Sequence, residues 1–226
     1  MGWLDLFKKK DAIVPSSFVL DYESLFSERI AKSLPISQLI FTVLDTETTG
    51  LSSKTDEIIS YGAIKVQQYR LKVNSVKEFY LKPRNQDKRA VKIHGLVKNE
   101  GFLSQEDFAK SLLNDIGRTI LVAHHAGFDI HMLEKALRGF GLKKILNPVI
   151  DTLDLAIRLE VGLHHNPRLI NRMDYSLDKL CGRYGIALDD RHTASGDAFL
   201  TAQLLLKLLK VAERSGIKTY GDLMRR

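Results

Sequence analysis

An apolar, β-prone run, Leu39-Ile40-Phe41-Thr42-Val43-Leu44, ends directly in the acidic tripeptide Asp45-Thr46-Glu47. A continuous run of this kind predicts a strand buried on both faces, as in the central sheet of an α/β domain. Because side chains two apart on a strand share a face, Asp45 and Glu47 are expected to point into one small volume. Two carboxylates this close need a counter-ion, but acids at strand ends are common. Taken alone, the pair therefore fits a functional and a structural role equally well.

The segments that follow indicate a mixed fold. Residues 58–66 and 71–81 have the composition of two further strands, joined by a short turn to give a three-strand meander. Helical periodicity then alternates with short apolar strands. Helices are predicted at 104–116, 128–139, 152–161, 176–184 and 196–213, and strands at 119–123 and 149–151. We therefore predict an α/β domain whose mixed sheet, a meander plus parallel strands, is flanked by helices.

Composition changes at residue 38 suggest three parts of the chain. Residues 1–37 are predicted to form an N-terminal extension, with an apolar and basic start and a helix from about Tyr22 to Leu34 that Pro35 ends. Residues 38–212 are predicted to form the globular domain, and residues 213–226 a short tail. The extension could dock onto another protein, such as a polymerase or a second copy of this chain, or simply pack on the domain.

Charge and cysteine usage limit the partners of this chain. The formal net charge is +7, and ten basic against two acidic residues lie between Lys65 and Lys98. Such a run suits a phosphate-tracking surface, although lysines on an exposed strand face explain its first half equally well. One cysteine cannot form an internal disulfide, and no long uncharged apolar run is present. We therefore expect a cytoplasmic protein without membrane contact.

Two further acids lie at junctions between later predicted elements. Asp129 lies just after the strand at 119–123, and Asp197 follows His192 in a polar loop that leads into an apolar helix. Because ligands of open α/β sheets bind at the carboxyl ends of strands, parallel strands would bring Asp129 to the edge that carries Asp45. Each acid alone is better explained as a helix N-terminal carboxylate. That explanation does not account for the occurrence of all these acids at one edge of the sheet. Four oxygen donors would suit Mg²⁺ or Mn²⁺.

These motifs resemble, in order and spacing, the three exonuclease motifs of the DEDDh family of 3′–5′ exonucleases, which has a ribonuclease-H-like fold and includes the proofreading epsilon subunit of bacterial polymerase. The matching segments are Asp45-Thr46-Glu47-Thr48-Thr49-Gly50, His124-x-Ala126-x-Phe128-Asp129 and His192-x-Ala194-x-x-Asp197-Ala198. The resemblance extends over about residues 38–212. A histidine five residues before Asp197 is typical of the histidine branch of the family.

The resemblance implies the chemistry of the site. Asp45, Glu47 and Asp197 would ligate one metal, and Asp129 would hold a second that Asp45 bridges, giving two Mg²⁺ or Mn²⁺ ions per site. His192 would act as the base during hydrolysis of a terminal phosphodiester at the 3′ end of a single nucleic-acid strand. Residues of the motifs and of an intermediate landmark would contact the substrate: Thr46, Thr48, Gly50, Leu51, His94, His124 and Phe128. Independently of the resemblance, Thr48-Thr49-Gly50 predicts a tight turn in which Gly50 is free to take a positive φ.

One departure from the family pattern stands in the second motif, where His125 replaces the usual Asn. This puts any contact made by that amide in doubt. The resemblance implies DNA as the substrate, in proofreading or repair and with a DNA polymerase as a potential partner. The alternatives are an exoribonuclease that trims RNA 3′ ends and a nucleic-acid-binding domain of the same fold that no longer cuts.

Overall fold

The computed structural model describes residues 13–81, 101–163, 166–189 and 191–225. Six strands occur in these ranges: β1 (Ile40–Thr48), β2 (Ile58–Gln67), β3 (Arg70–Leu81), β4 (Phe102–Leu103), β5 (Ile120–Ala123) and β6 (Val149–Asp151). The α-helices are α1 (Ser17–Ser24), α2 (Gln105–Ile116), α3 (Ala126–Leu137), α4 (Thr152–Val161), α5 (Leu177–Tyr184), α6 (Ala194–Arg214) and α7 (Tyr220–Leu223). Within the described ranges, no helix is long and apolar enough to cross a bilayer.

The strands form one mixed sheet in the order β4-β3-β2-β1-β5-β6. The pairs β1–β2 and β2–β3 are antiparallel, which gives the predicted meander. The pairs β1–β5 and β5–β6 are parallel, as are β3 and β4. The predicted α/β class with a mixed sheet is therefore confirmed. The two-residue strand β4 was not predicted, because two residues carry no detectable periodicity.

Alternate side chains of β1 enter two different hydrophobic cores, one on each face of the sheet. Phe41 and Val43 belong to the core that includes α4, α5 and α6, whereas Leu44 belongs to the core that includes α1, α2 and α3. The continuous apolar run of β1 follows from this burial on both faces. Continuing the alternation, Asp45 and Glu47 face the α6 side, and Thr46 faces the α3 side.

The first helix lies upstream of its predicted position. It spans Ser17–Ser24, and a helix from Tyr22 to Leu34 is not observed. Pro15 and Ser16 precede the first turn, and Val19 and Tyr22, three residues apart, share a buried face. The Tyr22 hydroxyl donates to Asn147 Oδ1 at 2.6 Å and accepts from the backbone N–H of Leu146 at 2.8 Å. The stretch that begins at Ile13 therefore packs on the sheet domain.

The end of the described chain also packs on the domain. Pro35 forms an isolated bridge with Thr219, and the backbone N–H of Tyr220 donates to the carbonyl of Leu34 at 2.8 Å. Leu223 is buried in the core on the α6 face. The predicted division at residues 37 and 212 stays a prediction, and both flanking segments make main-chain contacts with each other where they are described.

Candidate active site

Three carboxylates meet at the C-terminal half of β1. Oxygen atoms of Asp45, Glu47 and Asp197 lie within 4.8 Å of one another, and within the described part of the chain they form a group able to hold a metal ion. Asp45 and Glu47 come from one face of β1, and Asp197 from the first turn of α6. We call these three residues the acid cluster. The cluster unites three of the four acids identified from the sequence.

A glycine on the neighbouring strand lets α6 reach this position. Gly62 of β2 stands opposite Asp45 in the antiparallel register. A Cβ atom on Gly62 would overlap the backbone of Ala194 and Ser195 at the start of α6. The helix therefore packs its main chain directly on β2, which brings Asp197 beside Asp45. Gly62 was not among the candidate residues, because its contact partner lies more than 130 positions away in sequence.

The fourth acid, Asp129, approaches from α3 and is held by β1. The backbone N–H of Thr46 donates to Asp129 Oδ1 at 2.9 Å, and the Thr46 hydroxyl donates to the same atom at 2.7 Å. Asp129 is 4% exposed. Burial raises its pKa to about 7, although the two bonds from Thr46 oppose the shift. Thr46, predicted to contact substrate, is itself buried and has both donors committed to Asp129.

The charges of the four acids act on one another. Burial, followed by the charges of Asp129, Asp197 and Glu47, raises the pKa of Asp45 well above its usual value. A divalent cation among these oxygens would relieve that repulsion, and an all-oxygen donor set suits a hard cation such as Mg²⁺ or Mn²⁺. The donor set and its electrostatics thus fit the metal that the sequence implies.

An arginine that sequence reasoning missed contacts the acid cluster. Arg191 Nη1 pairs with Asp197 Oδ1, and Arg191 Nε donates to Asp178 Oδ1 at 2.7 Å. The Arg191 charge also opposes the rise in the pKa of Asp45. Its place directly before His192 was the only available signal in the sequence, and a single arginine in a polar loop is not informative.

His192, the predicted base, lies in the turn that leads into α6. Its side chain is exposed, and its backbone has a left-handed φ of 66°. Thr193 caps α6 by accepting a hydrogen bond from the N–H of Gly196 at 3.0 Å, so the helix begins two residues earlier than predicted. The conformation of His192 is uncommon for a residue other than glycine. The cap and this backbone conformation together determine where the imidazole leaves the main chain.

The second motif forms a tight turn between β5 and α3. His125, which replaces the family Asn, has φ 62° and ψ 42°. Asn and His are both enriched in this left-handed region, so the position demands a conformation that either residue supports. The departure noted in the sequence is therefore compatible with an unchanged backbone.

The turn of the second motif is held by the next strand-to-helix junction. The Asp151 carboxylate accepts the backbone N–H of His125 and of Ala126 at 3.1 Å each, and that of Leu153 at 2.9 Å. His124 Nδ1 lies 2.9 Å from the Thr152 hydroxyl. Asp151 thus joins the N-termini of α3 and α4, and α3 carries Asp129. The sequence did not reveal this role of Asp151, because its partners at the start of α3 lie about 25 positions away.

The loop after β1 contains Gly50, whose backbone the sequence left free to take a positive φ. The Thr48 hydroxyl donates to the carbonyl of Gly50 at 2.7 Å. Gly50 does not have a positive φ, and a Cβ atom there would lie 2.7 Å from Asp56 Oδ2. Gly50 therefore does not use the positive φ that the sequence allows it, and a larger residue there would require the Asp56 side chain to shift. The loop presents Leu51, which is 90% exposed.

The remaining candidates divide between described and undescribed parts of the chain. Phe128 is half-buried in the first turn of α3, one residue before Asp129. His94, a predicted substrate contact, lies outside the described residues, as does the second half of the basic run. Within its first half, Lys65 Nζ lies 3.7 Å from Asp115 Oδ1, so this lysine has a partner inside the domain.

Comparison with known proteins shows the family of this chain. A family model described as an exonuclease, RNase_T, matches residues 42–205. The PolC-type DNA polymerase III of Bacillus subtilis (strain 168) is 34% identical over 188 residues, which cover 81% of this chain and 12% of that protein. A DNA polymerase III subunit epsilon-like protein of Rhodobacter capsulatus is 31% identical over 203 residues, which cover 84% of this chain and 26% of that protein. The chain thus spans only a small share of the length of these relatives.

Solved structures share the fold. Escherichia coli Exonuclease I, in complex with a dT13 oligonucleotide, superposes with a TM-score of 0.61 at 20% identity, covering 79% of this chain and 43% of that chain. At this identity the likeness concerns the fold, and it extends to the mixed sheet with helices on both faces.

Proposed function

The chain belongs to the exonuclease family described by the RNase_T model, and from this premise we propose that it is a metal-dependent 3′–5′ exonuclease acting on single-stranded DNA. The observation that carries the proposal is the acid cluster of Asp45, Glu47 and Asp197, with Asp129 fixed beside it by Thr46. DNA is the favoured substrate because one relative is named as a PolC-type DNA polymerase III and the other as a DNA polymerase III subunit epsilon-like protein. Release of nucleoside monophosphates is the expected outcome.

In this proposal the acids hold two divalent ions. Asp45, Glu47 and Asp197 would bind one, and Asp129, with Asp45 shared, would bind the other. Bound Mg²⁺ or Mn²⁺ supplies Lewis acidity, which lowers the pKa of water and neutralises the charge of a phosphodiester. Thr46 acts as a positioning residue, because its two donors set the orientation of the Asp129 carboxylate.

The protein's own groups then prepare the attack. His192 accepts a proton from the attacking water, a task that histidine performs more often than any other side chain in general base catalysis. Its exposed position in the turn before α6 leaves the ring accessible to a water at the strand end. The departing strand terminates in a 3′ oxygen, and the released nucleotide carries the phosphate.

Substrate contacts are assigned to the rim of the site. Leu51 would pack its apolar side chain on the terminal base, which accounts for a leucine that is 90% exposed. Phe128 offers an aromatic face for stacking, a contact that tolerates any base. Thr48 and Gly50 would shape the loop that carries Leu51, through the hydrogen bond between them. His124 would support the residues of this rim through its contact with Thr152.

A strand-degradation assay with the full chain tests the proposal. Single-stranded DNA labelled at its 3′ end should release labelled mononucleotide at once in Mn²⁺, whereas the same strand labelled at its 5′ end should shorten stepwise. EDTA should stop both reactions, and a matched RNA strand should react more slowly. A protein that binds the strand without releasing mononucleotide would refute the enzymatic proposal, and faster cleavage of RNA would make it an exoribonuclease.

Variants of the acid cluster assign the activity to this site. Asp45→Asn and Asp197→Asn should reduce cleavage to background, because each removes a negatively charged ligand from the cluster. Asp154→Asn is the matched control: this acid lies on α4 and is paired with exposed Arg172 outside the cluster. Full activity in either cluster variant would remove the proposed metal role.

Location and association are proposals of the same kind. A cytoplasmic location rests on the lone, buried thiol of Cys181. Association with a DNA polymerase rests on the names of the relatives, in which the matching region is a minor part of a larger protein. Co-purification of the full chain with a replicative polymerase from its own cells would test the association.

A further inference from the structure

Arg191 bridges two carboxylates that belong to different helices. Its Nε donates to Asp178 Oδ1 on α5 at 2.7 Å, and its Nη1 pairs with Asp197 Oδ1 on α6. The Arg191 side chain is 21% exposed and that of Asp197 12% exposed, so solvent only partly screens their interaction. Asp178 is more exposed, at 55%, and lies outside the acid cluster.

We propose that Arg191 is a tethered counter-ion of the acid cluster, which neutralises Asp197 in the metal-free protein and must release it before a divalent cation binds. The inference rests on the proposed metal role of the cluster. It assigns to Arg191 a function that neither the three motifs nor the family match describes. Asp178 is the anchor that keeps the guanidinium near the site after Asp197 is released.

Competition between Arg191 and the metal would arise at the Asp197 carboxylate, which contacts Arg191 and belongs to the acid cluster. The guanidinium hydrogen-bonds to Oδ1 of Asp197, one of the carboxylates whose oxygens form the cluster. A divalent ion at either oxygen of this carboxylate would repel a guanidinium held within hydrogen-bond distance of it. Linkage requires that each cation weaken the binding of the other, so Arg191 lowers the apparent metal affinity of the site.

The anchor makes this competition effective. A free arginine side chain loses rotamer freedom when it forms an ion pair, which makes an isolated exposed pair weak. The bond to Asp178 already orders the Arg191 guanidinium, so a second bond to Asp197 orders little more. The planar fork of arginine can present Nε to one carboxylate and Nη1 to another, whereas a lysine offers a single nitrogen.

The direction of the effect separates this role from a merely structural one. If Arg191 only supported the local fold, its loss would disorder the cluster and weaken metal binding. If Arg191 competes with metal, its loss strengthens metal binding although it destabilises the metal-free protein. Metal affinity and metal-free stability should therefore change in opposite directions.

Binding of Mn²⁺ alone to the full chain, measured by titration calorimetry, tests the inference. We expect Arg191→Gln to bind Mn²⁺ about three- to tenfold more tightly than the wild type, and to melt at a lower temperature in EDTA. Arg191→Lys, which keeps the charge, should stay closer to the wild-type affinity. Arg191→Met, which removes the charge but keeps an unbranched apolar stem, repeats the test if the glutamine variant folds poorly.

Arg183→Gln is the matched control, because it makes the same change of charge on α5. Arg183 pairs with Glu160 at 2.6 Å and lies over the Tyr175 ring, away from the acid cluster. Its Mn²⁺ affinity should equal that of the wild type. Unchanged or weaker Mn²⁺ binding by both Arg191→Gln and Arg191→Met would overturn the inference, as would an equal gain in Arg183→Gln. A wild-type protein without saturable Mn²⁺ binding would instead overturn the proposed metal-dependent function.

Discussion

Thr46 donates two hydrogen bonds to a single oxygen of Asp129, one from its backbone N–H at 2.9 Å and one from its hydroxyl at 2.7 Å. Thr46 belongs to the first motif and lies on β1, whereas Asp129 belongs to the second motif and lies on α3. The backbone donor would remain with any residue other than proline at position 46. The hydroxyl donor depends on Thr or Ser, so position 46 links the first motif to the second through its side chain.

Replacement of Thr46 by valine tests this link. The variant keeps the shape and the backbone bond but removes the hydroxyl, which leaves a buried carboxylate oxygen with one fewer donor. We expect the turnover number for single-stranded DNA to fall about ten- to a hundredfold, since small displacements of a catalytic group are costly. Thr46→Ser should retain most activity. Wild-type turnover in the valine variant would show that the hydroxyl does not position Asp129.

Gly62→Ala should separate α6 from β2. The added Cβ would overlap the backbone at Ala194 and Ser195, which is a rigid partner that cannot rotate away. We expect a loss of about 1–3 kcal/mol in the free energy of unfolding and weaker Mn²⁺ binding, because Asp197 moves with the helix. The measurements are chemical denaturation and metal titration.

Gly127→Ala provides the control for that substitution. Gly127 lies in α3, and a Cβ atom there would meet no atom within 4 Å. Alanine favours the helix over glycine by about 0.5–1 kcal/mol, so this variant should be as stable as the wild type or more stable. Equal stability and equal metal affinity of Gly62→Ala and the wild type would contradict the close-approach explanation.

Asp151→Asn should loosen the junction that carries Asp129. Three backbone N–H groups point at the Asp151 carboxylate, and the amide of asparagine would turn a donor toward at least one of them. We expect a loss of about 1–3 kcal/mol in the free energy of unfolding. Asp154→Asn, an exposed position three residues away, should change stability by less than about 0.5 kcal/mol. Similar melting temperatures for the two variants would argue against the junction.

His124 should make stability depend on pH below neutrality. Burial, followed by the charges of His125 and Arg191, lowers the pKa of His124 from 6.5 to about 4. Between these values the unfolded chain binds the proton and the folded protein does not, so stability falls as pH decreases from about 6.5 to about 4. The full effect corresponds to about 3 kcal/mol.

Comparison of denaturation curves at several pH values isolates this effect. His124→Gln cannot take up the proton, so its stability should fall less than that of the wild type across the same interval. His131→Gln, which changes an exposed histidine on α3, should follow the wild-type curve. If His124→Gln and the wild type lose equal stability on acidification, His124 is not the group responsible.

The main elements of the fold could be predicted because each carries its own signal. The run that ends at Asp45 marks a strand buried on both faces, and the parallel pairing of β1 with β5 then brings Asp129 to the edge that carries Asp45. Local signals also misled: helical periodicity near Tyr22 placed the first helix too late, because Pro15 and Ser16 already start it.

The contacts that hold the site together could not be predicted, since they join residues distant in sequence. Gly62 looks like an ordinary strand residue until α6 is placed against it. Arg191 looks like a loop arginine until Asp178 and Asp197 flank it. Such contacts depend on tertiary geometry, and no propensity or periodicity of a single segment encodes them.

Anomalous X-ray scattering from a crystal of the full chain soaked in Mn²⁺ would test the convergence of the acids most directly. We predict a Mn²⁺ peak bounded by carboxylate oxygens of Asp45, Glu47 and Asp197, and its disappearance after treatment with EDTA. A fully soaked crystal with no Mn²⁺ peak among these three carboxylates, or with the carboxylates turned away from one another, would contradict the metal site and the nuclease proposed from it.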